Sequence, residues 1–192
     1  MHFNKGRVRI IGGEYRSRLL RVASRPGLRP TPDRVRETLF NWLGQDLAGR
    51  ECLDLFAGSG ALGFEAASRG AARVVMVEND REALQTLQTN RAALGAPQAE
   101  IIGRDALEYL AHAEDRFDVV FLDPPFGQNA LPTLLERLPR VLKDQALVYA
   151  EGADPVAGGP AWRELKRARA GEVSYQLLQW ERHDPSGLSG HV

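Results

Sequence analysis

A short loop, Asp123-Pro124-Pro125-Phe126, directly follows an apolar segment, residues 117–122, that is typical of a buried strand. Its two consecutive prolines lack backbone N–H groups and hold the chain extended, so carbonyl oxygens face outward without competing donors. The Asp123 carboxylate and the Pro124 carbonyl can then accept both N–H groups of an amino group on guanine, adenine or cytosine. This localises the nitrogen lone pair for attack, and Phe126 would stack on the extruded base. The loop predicts amine chemistry, against the alternative of a rigid turn.

A glycine-rich turn from Asp54 to Gly63 lies between a predicted strand and a predicted helix. Gly58, Gly60 and Gly63 fit the G-x-G-x-x-G pattern, in which a ligand approaches the backbone at a helix N-terminus. Glu78 follows Gly58 by 20 residues, ends the next strand, and can accept the hydroxyls of a ribose. Nicotinamide enzymes and methyltransferases share these features, and a tight turn without a ligand is the third alternative.

A third acidic residue, Asp105, ends the next predicted strand, where a carboxylate can reach the amino group of an adenine. Asp105 and Glu108 also have the spacing of a helix-capping pair. The two roles are compatible, because the capping contacts and the ligand contact need different atoms.

Alternating strands and helices must position these groups. Strands are predicted over residues 52–56, 73–78, 99–103, 117–122 and 146–151, and helices over about 60–69, 81–94, 106–113 and 130–142. Asp80 and Gly95 bound the second helix, and Pro139 should break the last. Strands that are apolar on both faces indicate a parallel sheet between helices, in which the fourth strand usually lies beside the first. Runs near 162–170 and 173–181, with a turn at Gly171, predict an antiparallel hairpin.

The N-terminal region predicts a separate basic element. Residues 7–23 suggest two short strands with a turn at Gly12-Gly13, residues 25–30 a loop, and residues 183–192 a disordered tail. Thr31 is the expected N-cap of a helix that has Pro32 at its first position and ends at Gly44. We therefore expect a basic arm over residues 1–30 and one α/β domain over residues 31–182.

Charge is distributed unevenly along the chain. Residues 1–50 hold 11 Lys and Arg against 4 Asp and Glu, and the remaining residues hold 14 against 21. This split favours an arm that binds a polyanion, although a solvated hairpin would have the same composition.

Cys52, the single cysteine, lies in an apolar run and is expected to be a packing residue rather than a nucleophile. A chain with one cysteine and no apolar run of about 18 residues is expected in the cytoplasm. The four histidines are scattered, so no metal is expected.

These residues resemble the class I methyltransferases, and residues 7–182 resemble one group among them, the RsmD family of 16S ribosomal RNA guanine-N2 methyltransferases. The resemblance rests on four segments: Arg9 to Arg18, Arg29 to Glu37, Asp54 to Gly60, and Asp123 to Phe126. It implies a Rossmann-like α/β fold with a mostly parallel seven-stranded sheet, S-adenosylmethionine as cofactor without a metal, and 16S rRNA in the small subunit or its assembly intermediate as substrate. We expect a monomer.

The residues and the resemblance together predict three sets of site residues. The catalytic set is Asp123, Pro124, Pro125 and Phe126. The cofactor set is Thr31, Arg36, Asp54, Phe56, Ala57, Gly58, Ser59, Gly60, Gly63, Glu78, Asn79, Asp105, Ala106 and Asp123, in which the resemblance places the segment Arg29 to Arg36 at the methionine end. The RNA-binding set is Arg7, Arg9, Tyr15, Arg16, Arg18, Arg29 and Arg34.

Other functions are weaker alternatives. A DNA adenine or cytosine amino-methyltransferase would use the same chemistry, but no long insertion is available for reading a DNA sequence. A protein glutamine methyltransferase has no need for the arginines. A nicotinamide oxidoreductase explains Gly58 and Glu78 but leaves the segment Asp123 to Phe126 without a role. An RNA-binding module without catalysis does not explain the glycine loop.

Overall fold

The computed structural model describes residues 6–23, 31–125 and 129–181. The strands found in this part of the chain are β1 (Arg7–Arg9), β2 (Leu19–Arg21), β3 (Glu51–Asp54), β4 (Arg73–Glu78), β5 (Ala99–Gly103), β6 (Phe117–Leu122), β7 (Leu142–Gly152), β8 (Trp162–Ala170) and β9 (Val173–Trp180). The helices are α1 (Asp33–Trp42), α2 (Ala61–Ser68), α3 (Arg81–Leu94), α4 (Ala106–His112) and α5 (Leu131–Arg137), and a 3-10 helix, Leu138–Val141, follows α5.

The central sheet has the strand order β5-β4-β3-β6-β7-β9-β8. Strands β3 to β7 are parallel to one another, whereas β9 is inserted antiparallel between β7 and β8. Strand order reverses between β3 and β6, so the carboxyl ends of these two strands flank a crevice in which ligands of open α/β sheets bind. The predicted fold class, the closing hairpin and the proximity of the first and fourth predicted strands are confirmed.

Most predicted boundaries agree with the structure, and the exceptions have local causes. Pro32 is the N-cap of α1 and not its first residue, because its ψ of 148° is extended. The prediction of Thr31 as the cap is therefore wrong, and its side chain makes a different contact, described below. Asp80 and Gly95 bound α3 as predicted. The helix predicted over residues 130–142 changes to a 3-10 helix at Pro139.

The N-terminal hairpin of β1 and β2 is packed against the sheet domain. Ile10, Tyr15 and Leu20 are buried in the same hydrophobic core as residues of α1, α2 and α3. Residues 10–18 form a series of turns and not a single turn at Gly12-Gly13. The hairpin therefore shares the core of the sheet domain. Residues 24–30, where we predicted the boundary between arm and domain, lie outside the described residues, as does the predicted tail.

Two further expectations concern the composition. Cys52 is fully buried, and burial raises the pKa of its thiol to about 12, as expected of a packing residue. In the described ranges, no helix is both long enough and apolar enough to span a membrane.

Candidate active site

The glycine loop connects β3 to α2 beneath the open crevice. Gly60 is the N-cap of α2 and has a left-handed φ of 80°, and the N–H of Ala57 donates to the carbonyl of Val77 in β4 at 3.0 Å. A Cβ on Gly60 would lie 2.5 Å from the ring of Phe64, and a Cβ on Gly63 would lie 2.5 Å from Met76 Sδ. These two glycines allow close packing of α2 against its neighbours, which is the role of glycine at such a turn.

Gly58 differs from these two glycines. A Cβ at this position, where φ is 52°, would have one neighbour within 4 Å, the carbonyl oxygen of Phe56 at 3.9 Å. Its backbone therefore borders open space, where a ligand can approach closely. Open space at this point is what the ligand-binding alternative requires of the loop.

Glu78, at the end of β4, is held by backbone donors on both sides. Its Oε2 accepts the Gly58 N–H at 2.9 Å, and its Oε1 accepts the Asn79 and Asp80 N–H groups at 2.9 Å each. The carboxylate oxygens keep lone pairs for further donors. The arrangement fits the predicted contact with a ribose.

Asp54, at the end of β3, is 2% exposed. Its Oδ2 accepts the Gly63 N–H at 3.1 Å, while its Oδ1 is buried without a hydrogen-bond partner among the described residues. Burial raises the pKa of this carboxyl to about 7, although the nearby backbone N–H groups of Phe56 and Gly63 lower it. A buried acceptor without a donor is expensive, so this atom is suited to a ligand that brings an N–H or ammonium group.

Asp123, the first residue after β6, is half-buried, and its Oδ2 accepts the Thr31 hydroxyl at 3.3 Å. Pro124 is buried and Pro125 is exposed, whereas Phe126 lies outside the described residues. Burial, together with the charges of Glu151 and Asp54, raises the pKa of Asp123 well above its usual value, against the hydrogen bond from Thr31.

Glu151 is a site residue to which the sequence reasoning assigned no role. Register pairs Asp54 with Phe121 and Phe121 with Tyr149, so Asp54, Asp123 and Glu151 lie on one face of three adjacent strands. The available signal was that Glu151 ends a predicted strand, as Glu78 does.

Asp105 is the N-cap of α4. Its Oδ1 accepts the N–H groups of Leu107 at 2.9 Å and Glu108 at 3.2 Å, which confirms the capping alternative. Glu108 pairs with Arg104 at 3.6 Å. Contact of Asp105 with a cofactor stays a prediction, and Asp105 is exposed at the end of β5, beside Glu78 on β4.

Two predicted site residues are buried in structural roles. Arg36 is fully buried, and its guanidinium donates to Glu65 at 3.3 Å, to Asp33 at 2.6 Å and to the carbonyl of Arg9 at 2.8 Å. These contacts fasten the hairpin to α1 and α2, while its Nε is buried without a partner among the described residues, and its contact with the cofactor stays a prediction. Tyr15 is 6% exposed, and its hydroxyl accepts from Gln98 at 3.2 Å, so it packs in the core, and its contact with RNA stays a prediction.

The remaining predicted residues fall into two groups. The exposed arginines of the predicted RNA-binding set are Arg7, Arg9, Arg16, Arg18 and Arg34, and Arg29 lies outside the described residues. Of the cofactor set, Asn79 is exposed, Phe56 is half-buried, and Ala57, Ser59 and Ala106 are buried. Within the described ranges, no group of three metal-ligating side chains is found.

The sheet order, with its antiparallel β9, the glycine loop after β3 and the acidic residue after β4 define the class I methyltransferase fold. Residues 8–179 match the family described as Conserved hypothetical protein 95. The chain is 45% identical over 192 residues to Ribosomal RNA small subunit methyltransferase D of Escherichia coli (strain K12), with 96% of each chain covered. The chain therefore belongs to this family, the RsmD family.

Solved structures agree. A candidate methyltransferase from Escherichia coli, yhhF, is similar with a TM-score of 0.85 and 44% identity, over 93% of this chain and 100% of that chain. The T. thermophilus 16S rRNA N2 methyltransferase RsmC, in complex with AdoMet and guanosine, is similar with a TM-score of 0.69 and 28% identity, over 92% of this chain and 50% of that chain.

Proposed function

We propose that this protein transfers a methyl group from S-adenosylmethionine to the exocyclic N2 amine of a guanine in 16S rRNA, in the small subunit or its assembly intermediate. The main support for this proposal is that the Asp123-Pro124 acceptors and the glycine loop follow two adjacent parallel strands, β6 and β3, at the point where the strand order reverses. The names of the relatives support 16S rRNA as the substrate and guanine N2 as the target.

The cofactor-binding residues fit S-adenosylmethionine. Gly58 leaves room at the backbone, Glu78 offers carboxylate oxygens for the ribose hydroxyls, and Asp105 lies at the neighbouring strand end for the adenine. The unpartnered Asp54 Oδ1 would be satisfied by the ammonium of the methionine part. When bound there, S-adenosylmethionine supplies a methyl group on a sulfonium, which is electrophilic without a metal.

The residues after β6 position the amine. The Asp123 carboxylate and the Pro124 carbonyl accept its two N–H groups, which favours a pyramidal nitrogen and directs its lone pair toward the end of β3. Thr31 donates to Asp123 and so fixes the orientation of the carboxylate. Alignment of reactants in this manner can contribute roughly 7–11 kcal/mol to lowering a barrier. Phe126 keeps its proposed role of stacking on the base.

The exposed arginines of the hairpin and of α1 are proposed to bind the RNA backbone, and the charge split along the chain supports this. We also propose that the protein acts as a monomer in the cytoplasm.

Radiolabelled S-adenosylmethionine tests the proposal when offered with naked 16S RNA, 30S particles that lack the modification, or duplex DNA. We expect label in ribosomal RNA, at the guanine N2 position after nuclease digestion. Label in DNA and none in ribosomal RNA or particles would instead indicate a DNA amino-methyltransferase.

Asp123→Ala tests the role of the loop. It should lower kcat by roughly 100-fold or more, because the amine loses one of its two acceptors, while the affinity for S-adenosylhomocysteine changes by a few fold only. Glu114→Ala, which removes an exposed carboxylate before β6, serves as the matched control and should leave both quantities unchanged. Loss of S-adenosylhomocysteine binding in Asp123→Ala would mean that Asp123 belongs to the cofactor site instead.

A further inference from the structure

The acidic residue at the end of β7, Glu151, is placed to act on the same base as Asp123. Leu122 of β6 pairs with Ala150 of β7 in parallel register, so Asp123 and Glu151, which follow them, are neighbours at the carboxyl ends of these strands. Glu151 is 6% exposed, which is unusual for a carboxylate unless a partner satisfies it.

One oxygen of Glu151 has a partner and the other has none. The Tyr149 hydroxyl donates to Oε2 at 2.7 Å, which fixes the plane of the carboxylate. Within the described ranges, no donor reaches Oε1. This oxygen therefore keeps its lone pairs for a donor that a ligand in the neighbouring cavity brings.

Both carboxylates line a cavity of about 460 Å³, a size typical of sites for small organic groups. Pro124 and Pro125 form part of its wall, and residues 152–157 form another part. Gln176 holds the second wall in place, because its side chain accepts from the Val156 N–H at 2.7 Å and donates to the Val156 carbonyl at 3.3 Å. The cavity thus combines apolar surfaces for a flat ring with two acidic groups.

We infer that Glu151 makes the site specific for guanine by accepting the N1–H of the base, while Asp123 and Pro124 hold the adjacent N2 amine. The inference rests on the proposed function and extends it to the choice of base. Guanine presents two neighbouring donors, N1–H and the N2 amine, on one edge. Adenine and cytosine present an acceptor, N1 or N3, beside their amine, and a carboxylate repels an acceptor. Glu151 therefore discriminates among the three amino bases.

The electrostatics of the pair support this assignment. Burial and, after it, the charge of Glu151 raise the pKa of Asp123, and burial raises the pKa of Glu151 even though the Tyr149 hydrogen bond lowers it. The repulsion between two neighbouring carboxylates falls when a ligand donates a hydrogen bond to each of them. Of the amino bases, guanine offers such an edge.

Glu151→Gln tests the inference because it replaces an acceptor by an amide. The Tyr149 hydroxyl keeps the amide carbonyl as its acceptor, which turns the NH₂ group toward the cavity. That group opposes the N1–H of guanine and can donate to N1 of adenine. Calorimetry with guanosine and adenosine, in saturating S-adenosylhomocysteine, measures both affinities. Wild type should prefer guanosine by roughly 10- to 100-fold, and Glu151→Gln should reduce this ratio at least 10-fold and strengthen adenosine binding.

A control variant and several outcomes make the test decisive. Glu114→Gln makes the same chemical change at an exposed carboxylate before β6, at the opposite end of that strand, so the preference for guanosine should remain. Equal affinities in wild type, equal weakening of both nucleosides by Glu151→Gln, or no guanosine binding at millimolar concentration would overturn the inference. Failure of wild type to label ribosomal RNA would count against the proposed function alone, since the nucleoside preference is measured without RNA.

Discussion

At the scale of single residues, the site brings together three carboxyl groups in a largely buried place. Asp54, Asp123 and Glu151 lie on one face at the ends of adjacent strands, and the pKa of each is raised, with burial as the largest cause. Folding therefore favours their protonated forms, and the free protein is destabilised when they ionise. Such a cost is expected where a binding site keeps acceptors ready for its ligands.

The pH dependence of stability follows from the Asp54 carboxyl. Its pKa rises from 3.8 to about 7 on folding, so the native state binds more protons than the unfolded state between these values. The free energy of unfolding should therefore fall as the pH rises from about 4 to 7, by up to about 4 kcal/mol from this group. Asp54→Asn keeps an acceptor for the Gly63 N–H and should remove this part of the dependence. Urea unfolding of both proteins at pH 4.5, 5.5 and about 7.5 measures it, and parallel curves would contradict the assignment.

At the scale of elements, a buried charge network fastens the N-terminal hairpin to α1 and α2. Glu65 of α2 is fully buried and accepts the N–H groups of Ile11 and Gly12 at 2.8 Å each, as well as donors from Arg36 and Arg69. Arg36, in turn, donates to the carbonyl of Arg9. The backbone that carries the exposed arginines is thereby held in one orientation relative to the sheet.

The contact between the hairpin and α2 should be most sensitive to substitution at Gly13. Its φ is 75°, and a Cβ would lie 1.8 Å from the carbonyl oxygen of Ser68, which accepts the Glu14 N–H at 2.7 Å. Gly13→Ala should therefore lift the hairpin from α2 and destabilise the protein by about 1–3 kcal/mol beyond the cost of its backbone conformation. Thermal unfolding and hydrogen exchange of the segment 8–22 measure the effect.

Gly6→Ala provides the matched control, because Gly6 has a φ of 87° but open space around its Cβ position. It should cost about 1 kcal/mol or less and leave the exchange of the segment protected. If both variants behaved alike, backbone strain and not the contact with Ser68 would limit the docking.

At the scale of the whole molecule, Lys and Arg are concentrated in residues 1–50, and a second group of cations lies on the strand β8. The hairpin arginines lie on the face of α2 and α3, where Arg18 donates to the carbonyl of Ala93. The edge strand β8 is also basic, but there Arg163 pairs with Glu181 at 2.9 Å and Arg167 with Glu164 at 2.7 Å. We expect the cations of the hairpin to dominate RNA binding, because carboxylates neutralise Arg163 and Arg167 of β8.

Replacement of Arg16 and Arg18 together by Ala should weaken RNA binding and flatten its salt dependence. The slope of log K against log salt should fall in magnitude by roughly 0.7–0.9 per cation removed, through the loss of counterion release. Filter binding to 16S RNA between about 50 and 200 mM salt measures the slope. The double variant Arg163→Ala/Arg167→Ala should change it less. The same loss in both double variants would show that RNA responds to net charge and not to the hairpin.

Local patterns were sufficient to predict most of the fold. Strands β4, β5 and β6 have the predicted bounds, because apolar runs flanked by polar residues carry enough information on their own. Asp80 and Gly95 end α3 where their side-chain and backbone preferences place them. The glycine loop and the strand-end residues Asp123 and Glu78 could likewise be found, since they follow strands in a parallel sheet.

The tertiary structure decided what each polar side chain does. The arginine run did not distinguish Arg36, which is buried against Glu65, from Arg34, which is exposed, because two residues separate opposite sides of a helix. Thr31 was predicted to cap a helix and contacts Asp123, 92 positions away. Glu151 lies beside Asp123 because of the register between β6 and β7, which the sequence did not reveal. The sequence by itself determined the elements and the acidic strand ends, which depend on local propensity. Which carboxylates meet, and which arginines stay free for RNA, depends on contacts between distant segments that only packing brings together.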